Sequence, residues 1–212
     1  MSASHAEVIA VRLRQPSEAK GFPVEEEWQR AEPVTFCRDW QGRNEDPQRS
    51  TGVRVLWTSG HLYIRFRCQY RAIHVFPDAD SNGRRNELWD RDVAEVFLQP
   101  DHFGEKYYKE FEVSPKGQWL DLDITPQGLR HIASGMRSRV SVGQSAKTWT
   151  ADLAIPIGAI TSGFDPAQSW RVNFFRCEDV DPQRFYSAWQ PTNTAQPNFH
   201  VPEKFGTLHF AG

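Results

Sequence analysis

Sulfur is scarce in this chain: two methionines, Met1 and Met136, and three cysteines, Cys37, Cys68 and Cys177, in 212 residues. The cysteines are widely spaced and odd in number, with no CxxC or other metal-ligand spacing, which excludes a cysteine-based metal site. They read as buried free thiols, with one disulfide plus a spare thiol as the alternative. No apolar stretch approaches the roughly 20 residues that cross a bilayer as a helix. The N-terminus has no basic region followed by the apolar run of a signal sequence. The expectation is a soluble chain without a membrane partner, cytoplasmic as given, or secreted or periplasmic if a signal has been removed. Charge of one sign is missing too. The net charge is −2, the pI is near 6.4, and the pair Arg84-Arg85 is offset by Glu87, Asp90 and Asp92. Nucleic acid is therefore excluded as a partner. P-loop, GxGxxG, HExxH and Ser-His-Asp signatures are absent as well.

Aromatic residues, by contrast, are plentiful: eight Trp, fourteen Phe and five Tyr. Many must be core, but eight tryptophans leave some free to serve a surface. Short alternating segments dominate the chain. Residues 53–57 and 62–68, joined by Thr58-Ser59-Gly60-His61, predict a β-hairpin. In its second arm Leu62, Ile64, Phe66 and Cys68 share one face, while Tyr63, Arg65 and Arg67 share the other. Residues 92–99 are largely apolar on both faces, as in a central strand. Residues 107–124 predict a second hairpin around Ser114-Pro115-Lys116-Gly117, with Glu110 and Glu112 on its polar, solvated face. Further strands are expected at 137–143, 147–154, 169–177, 184–189 and 205–210. Only Pro156-Ile157-Gly158-Ala159-Ile160 looks helical. The fold class is thus all-β, an antiparallel β-sandwich of about ten strands with one short helical turn, as a single domain over 1–212.

Two long loops, 70–91 and 190–204, flank Trp89 and Trp189, and loops of such length are often functional. Each tryptophan is either a core plug or an exposed platform. Glu95 lies six residues beyond Trp89, inside a strand that otherwise reads as buried, and a buried carboxylate is costly without partners. It is either half of a structural ion pair with Lys109 or Arg176, or an acceptor for ligand hydroxyls. General acid or base work is the third reading. Asp78, Asp80 and Asp90 form an acidic loop that lacks the glutamate of an EF-hand, since position 89 is Trp. The loop reads as solvated, with a calcium site as the alternative.

The segments Leu88-Trp89-Asp90-Arg91-Asp92-Val93-Ala94-Glu95-Val96-Phe97-Leu98, 107–117, 149–156, 170–176, Ser187-Ala188-Trp189 and 205–210 together resemble the family-nine carbohydrate-binding modules, within the wider DOMON-like β-sandwiches. The resemblance spans about 50–210. It implies that Trp89 and Trp189 sandwich a sugar ring while Glu95 takes its hydroxyls, with polar neighbours such as Asn173, Arg176 or Gln190. The family also resembles calcium-binding β-sandwiches. An arginine that helps hold the sugar in the family has no clean match, since the nearest strand offers Lys109 and Glu110, and lysine lacks the rigid fork. Family modules usually accompany secreted glycosidases, which points to a separately encoded carbohydrate-active enzyme as a partner. The expectation is non-catalytic binding of a mono-, di- or oligosaccharide. Its rivals are an O-glycosyl hydrolase using Glu95 with a second carboxylate, and a DOMON-type interaction or redox domain. For a haem-binding version, Met136 between strands is a poor axial ligand.

Overall fold

The computed structural model describes residues 6–14, 21–77, 83–100, 104, 106–180 and 184–212. Thirteen strands are present among them: β1 (Glu7–Arg12), β2 (Val34–Phe36), β3 (Thr51–Trp57), β4 (His61–Gln69), β5 (Val93–Pro100), β6 (Tyr108–Val113), β7 (Trp119–Thr125), β8 (Gly128–His131), β9 (Arg137–Gly143), β10 (Thr148–Pro156), β11 (Trp170–Glu178), β12 (Phe185–Ala188) and β13 (Gly206–Ala211). Two four-residue helices, α1 (Glu25–Trp28) and α2 (Ile157–Ile160), and three 3-10 turns complete the described elements. The sequence called for about ten strands and one helical turn. The strands it did not separate are short or pair with distant segments.

The strands form one hydrogen-bonded path, β8-β7-β6-β5-β11-β13-β1-β3-β4-β10-β9, with β12 on β11 and β2 on β3. It curls so that its two halves face each other as a β-sandwich. The expected antiparallel pattern holds except at β1, which runs parallel to both β13 and β3 and so joins the halves. The sheet is therefore mixed.

Alternation along each strand sorts side chains between two layers. Leu62, Ile64, Phe66 and Cys68 of β4 meet Ala94, Val96 and Leu98 of β5 and Val172 and Phe174 of β11 in the core between the halves. Tyr63 points the other way, into a small cluster under α1 with Trp28 and Leu56. β5 is buried at all eight positions, as expected of a central strand. Its other face carries Val93 and Phe97, which join Tyr108, Leu120, Leu122, Phe175 and Cys177 in a second apolar layer outside the sandwich. Such a layer must be covered. The 3-10 turn Leu88–Asp90, β12 and the segment 197–205 cover it, and the candidate site lies between them and the sheet. All three cysteines are free thiols, with Cys68 and Cys177 buried.

Candidate functional site

A cavity of about 810 Å³ opens over this outer face. Its floor is made by Glu95 and Phe97 of β5, Glu110 of β6, Leu122 of β7 and Cys177 of β11, and its walls include Trp89, Arg184, Tyr186, Phe199 and His200. The register explains the floor. Glu95 stands opposite Phe175 on one side and Glu112 on the other, and Glu110 stands opposite Phe97. Three glutamates therefore share one face of adjacent strands, and all are buried, at 2%, 3% and 0% exposure for Glu95, Glu110 and Glu112. Glu110 and Glu112 were expected on a solvated face. Alternation placed them together correctly, but turn, strand and loop cover that face.

Burial raises the proton affinity of all three carboxyls. Glu110 is pushed up to about 7 by desolvation. Desolvation, then the charges of Glu95 and Glu110, lift Glu112 well above the usual range, and neither of its oxygens has a hydrogen-bond partner among the described residues. Glu95 is also raised, by desolvation and then by Glu110, against a hydrogen bond from Cys177 Sγ to its Oε1 (3.4 Å) and the charge of Arg184.

Arg184 organises one wall. Its guanidinium donates to the carbonyls of Trp89 and of Asp90 (2.8 Å to the latter) and to that of Asp179 (3.4 Å), and it lies 5.1 Å from the Tyr186 ring centroid. The clamp fixes the turn carrying Trp89. That turn is entered through Glu87 at φ 55°, a left-handed conformation uncommon for a residue with a side chain, and is anchored by the fully buried Leu88.

The other sequence-predicted residues are placed elsewhere. Trp189 is packed on the inter-sheet core, tilted against Phe174 at 5.5 Å, and does not line the cavity with Trp89. A side chain at Gly206 would meet its ring: an added Cβ would stand 2.6 Å from Trp189 and 2.5 Å from the Ala6 carbonyl. Gly206→Ala is accordingly expected to destabilise the fold by about 1–3 kcal/mol through overpacking, measurable as a lowered urea midpoint; an unchanged midpoint would contradict the packing described. Asn173 is wholly buried and clamps the 190 backbone, donating to Gln190 O and accepting from Gln190 N, both at 2.9 Å. The Gln190 side chain donates to Trp189 O at 3.1 Å. Lys109 is bonded to Asp123. Arg176 points into the inter-sheet core and donates to Glu178 Oε1 at 2.6 Å. Neither cation forms the expected ion pair with Glu95; the cation acting on Glu95 is Arg184. Asp78 and Asp80 lie outside the described residues, and Asp90 is an exposed residue of the cavity rim. Among the described residues no three His, Cys, Asp or Glu side chains converge on a metal site.

A cavity walled by aromatic rings over buried carboxyls is an arrangement suited to hydroxylated rings. The model of the carbohydrate family 9 binding domain-like proteins matches residues 22–212. The chain belongs to that family.

An extracellular protein of Arthroderma benhamiae is 25% identical to this family 9 domain over 184 residues, covering 79% of this chain and 81% of that protein. Among solved structures, a Bacteroides uniformis protein proposed to bind carbohydrate superposes with a TM-score of 0.77 at 17% identity, over 98% of this chain and all of that one. A family 9 carbohydrate-binding module of Caldicellulosiruptor kristjanssonii, solved with cellotriose, superposes with a TM-score of 0.67 at 12% identity, over 98% and 94% of the two chains. A family 9 module of that organism solved with glucose gives 0.68, also at 12% identity, over 98% and 96%. At these identities the structural likeness establishes the β-sandwich fold. Against the two-tryptophan arrangement expected from the resemblance, the described cavity of this family 9 domain pairs Trp89 with Tyr186 and Phe199 instead.

Sequence reasoning missed Arg184, Tyr186 and His200. One signal was present: in a strand over 184–189, Arg184 and Tyr186 share a face and Trp189 falls on the other.

Proposed function

We propose that this family 9 domain binds a sugar ring or the end of a short oligosaccharide in the cavity, without cleaving it. The observation that carries the reading is that Trp89 and Glu95 line one cavity. Trp89 supplies an apolar face for the C–H side of a pyranose, and Glu95 accepts hydrogen bonds from ring hydroxyls. Tyr186 or Phe199 takes the place of a second platform. Titration calorimetry against glucose, cellobiose, xylobiose and lactose tests this. Saturable binding with a dissociation constant of roughly 1 µM to 1 mM is expected, weakened at least about tenfold in Trp89→Ala. Absence of heat with every sugar, or a Trp89→Ala variant that binds as well as the parent, would refute it.

One observation favours a second reading. Glu95 and Glu110 line the same cavity, and burial raises Glu110 to about 7, so that it holds its proton part of the time at neutrality. A glycosidase needs one carboxylic acid and one carboxylate facing a glycosidic bond. Hydrolysis of aryl glycosides that disappears in Glu95→Gln while sugar binding persists would establish it; no turnover by the parent protein sets it aside.

A further inference from the structure

Glu110 is more than a floor residue, because its carboxyl is left incomplete. It lines the cavity, is 97% removed from solvent, and its Oε2 has no hydrogen-bond partner among the described residues. Among the described residues no ion pair to a cation is recorded for it. Lys109 and Arg130 are committed to Asp123, Arg176 to Glu178 on the opposite face, and Arg184 to backbone carbonyls at the other wall. Strand order separates the two ends of the floor: β6, carrying Glu110, is reached from β12 only across β11 and β5. A cationic group on the β6 side therefore stays clear of the Arg184 guanidinium.

We propose that the cavity selects amino sugars, with the protonated amine of a 2-amino-2-deoxyhexose, alone or at the end of a deacetylated oligosaccharide, held by Glu110. The inference rests on the carbohydrate reading above and names the class of sugar. A neutral sugar offers Glu110 a hydroxyl donor but no counter-charge. An ammonium offers three donors and the missing positive charge, and a charge-assisted bond to a carboxylate is about twice as strong as a neutral one. For a carboxyl this buried, the unpaired carboxylate is the costly state and pairing relieves it. The ring itself still stacks on Trp89, so charge and aromatic face act on one ligand from two sides.

The test is calorimetry with D-glucosamine, D-glucose and N-acetyl-D-glucosamine, at a pH where the free amine is protonated. Glucosamine is expected to bind about tenfold tighter than glucose, and N-acetylglucosamine, which keeps the ring and loses the charge, no tighter than glucose. In Glu110→Gln the ratio of glucosamine to glucose affinity falls to about one. The ratio in the parent protein decides the matter even if that variant fails to fold. Glucose binding equal to or tighter than glucosamine overturns the amino-sugar proposal while leaving carbohydrate binding intact. Silence with all three sugars overturns both. Spermidine serves as an ammonium without a ring, and if it binds as tightly as glucosamine the site is a polyamine site and the proposal falls.

Discussion

Arg176→Ala is expected to destabilise the protein by about 3–5 kcal/mol, the range for removing one partner of a buried ion pair. Arg176 is wholly buried. Its guanidinium donates to Glu178 Oε1 at 2.6 Å and to Arg49 O and Thr51 Oγ1, each at 3.2 Å, and it lies 5.8 Å from the Trp149 ring centroid. Truncation leaves a void beside Trp149 and strands the Arg49 carbonyl and the Thr51 hydroxyl without that donor. It also strips Glu178 of its main counter-charge. Burial already pushes Glu178 up to about 8 despite Arg176, so without the arginine the carboxyl holds its proton more tightly still instead of standing charged in the core. For that reason Arg176→Met, which restores most of the volume, is expected to cost less than the alanine. Urea denaturation of both variants checks this. A loss below about 1 kcal/mol for the alanine would put the pair in the class of exposed ion pairs, which contribute that little.

Arg176 also shows what a strand sequence tells and what it withholds. Period-two alternation fixes which side chains share a face, and on that count the sequence was legible: β4 sorts as read, and Glu110 shares its face with Glu112. Alternation does not say which face is wet. β5, β6 and β11 are covered on both sides, by the other half of the sandwich and by the turn, strand and loop that form the cavity. Glu110 and Glu112 were thus read as solvated, and Arg176 was set beside Glu95 when they occupy opposite layers. β1 was invisible for another reason. Its partners β13 and β3 lie far along the chain and pair with it in parallel, so no neighbouring turn marks it. That Trp89 and Glu95 stand near each other was readable from their six-residue offset and the buried strand, and both line one cavity. Arg184 was not legible, because its role depends on bonds to carbonyls about 95 residues away, which no local pattern encodes.

Buried carboxyls should also set the pH dependence of stability, and here the expected effect is as large as that of the core arginine. Glu110 titrates at about 7 in the fold against an ordinary value of 4.5. Between those values the folded chain holds a proton that the unfolded chain has released, so stability falls as pH rises through the window. Below 4.5 both forms are protonated and the group contributes nothing; above about 7 the full penalty is present. At 1.36 kcal/mol per pH unit, the span from 4.5 to about 7 amounts to about 3 kcal/mol for Glu110 alone. Glu95, Glu112 and Glu178 are raised and act in the same direction. Asp123 acts oppositely: burial lifts it, but hydrogen bonds from Arg130 and Lys109 outweigh that and hold it below its ordinary value. Its contribution is lost only on stronger acidification, and it is the more exposed group. Denaturation midpoints should therefore be higher at about pH 5 than at about pH 8. Glu110→Gln, which keeps the shape and removes the group that ionises within this window, should raise stability at the higher pH, leave it nearly unchanged at the lower, and flatten the slope. A parent protein more stable at the higher pH, or a variant whose curve runs parallel to the parent's, would mean that the three glutamates are solvated after all. The same outcome would remove the physical basis for an incomplete Glu110 in the cavity floor.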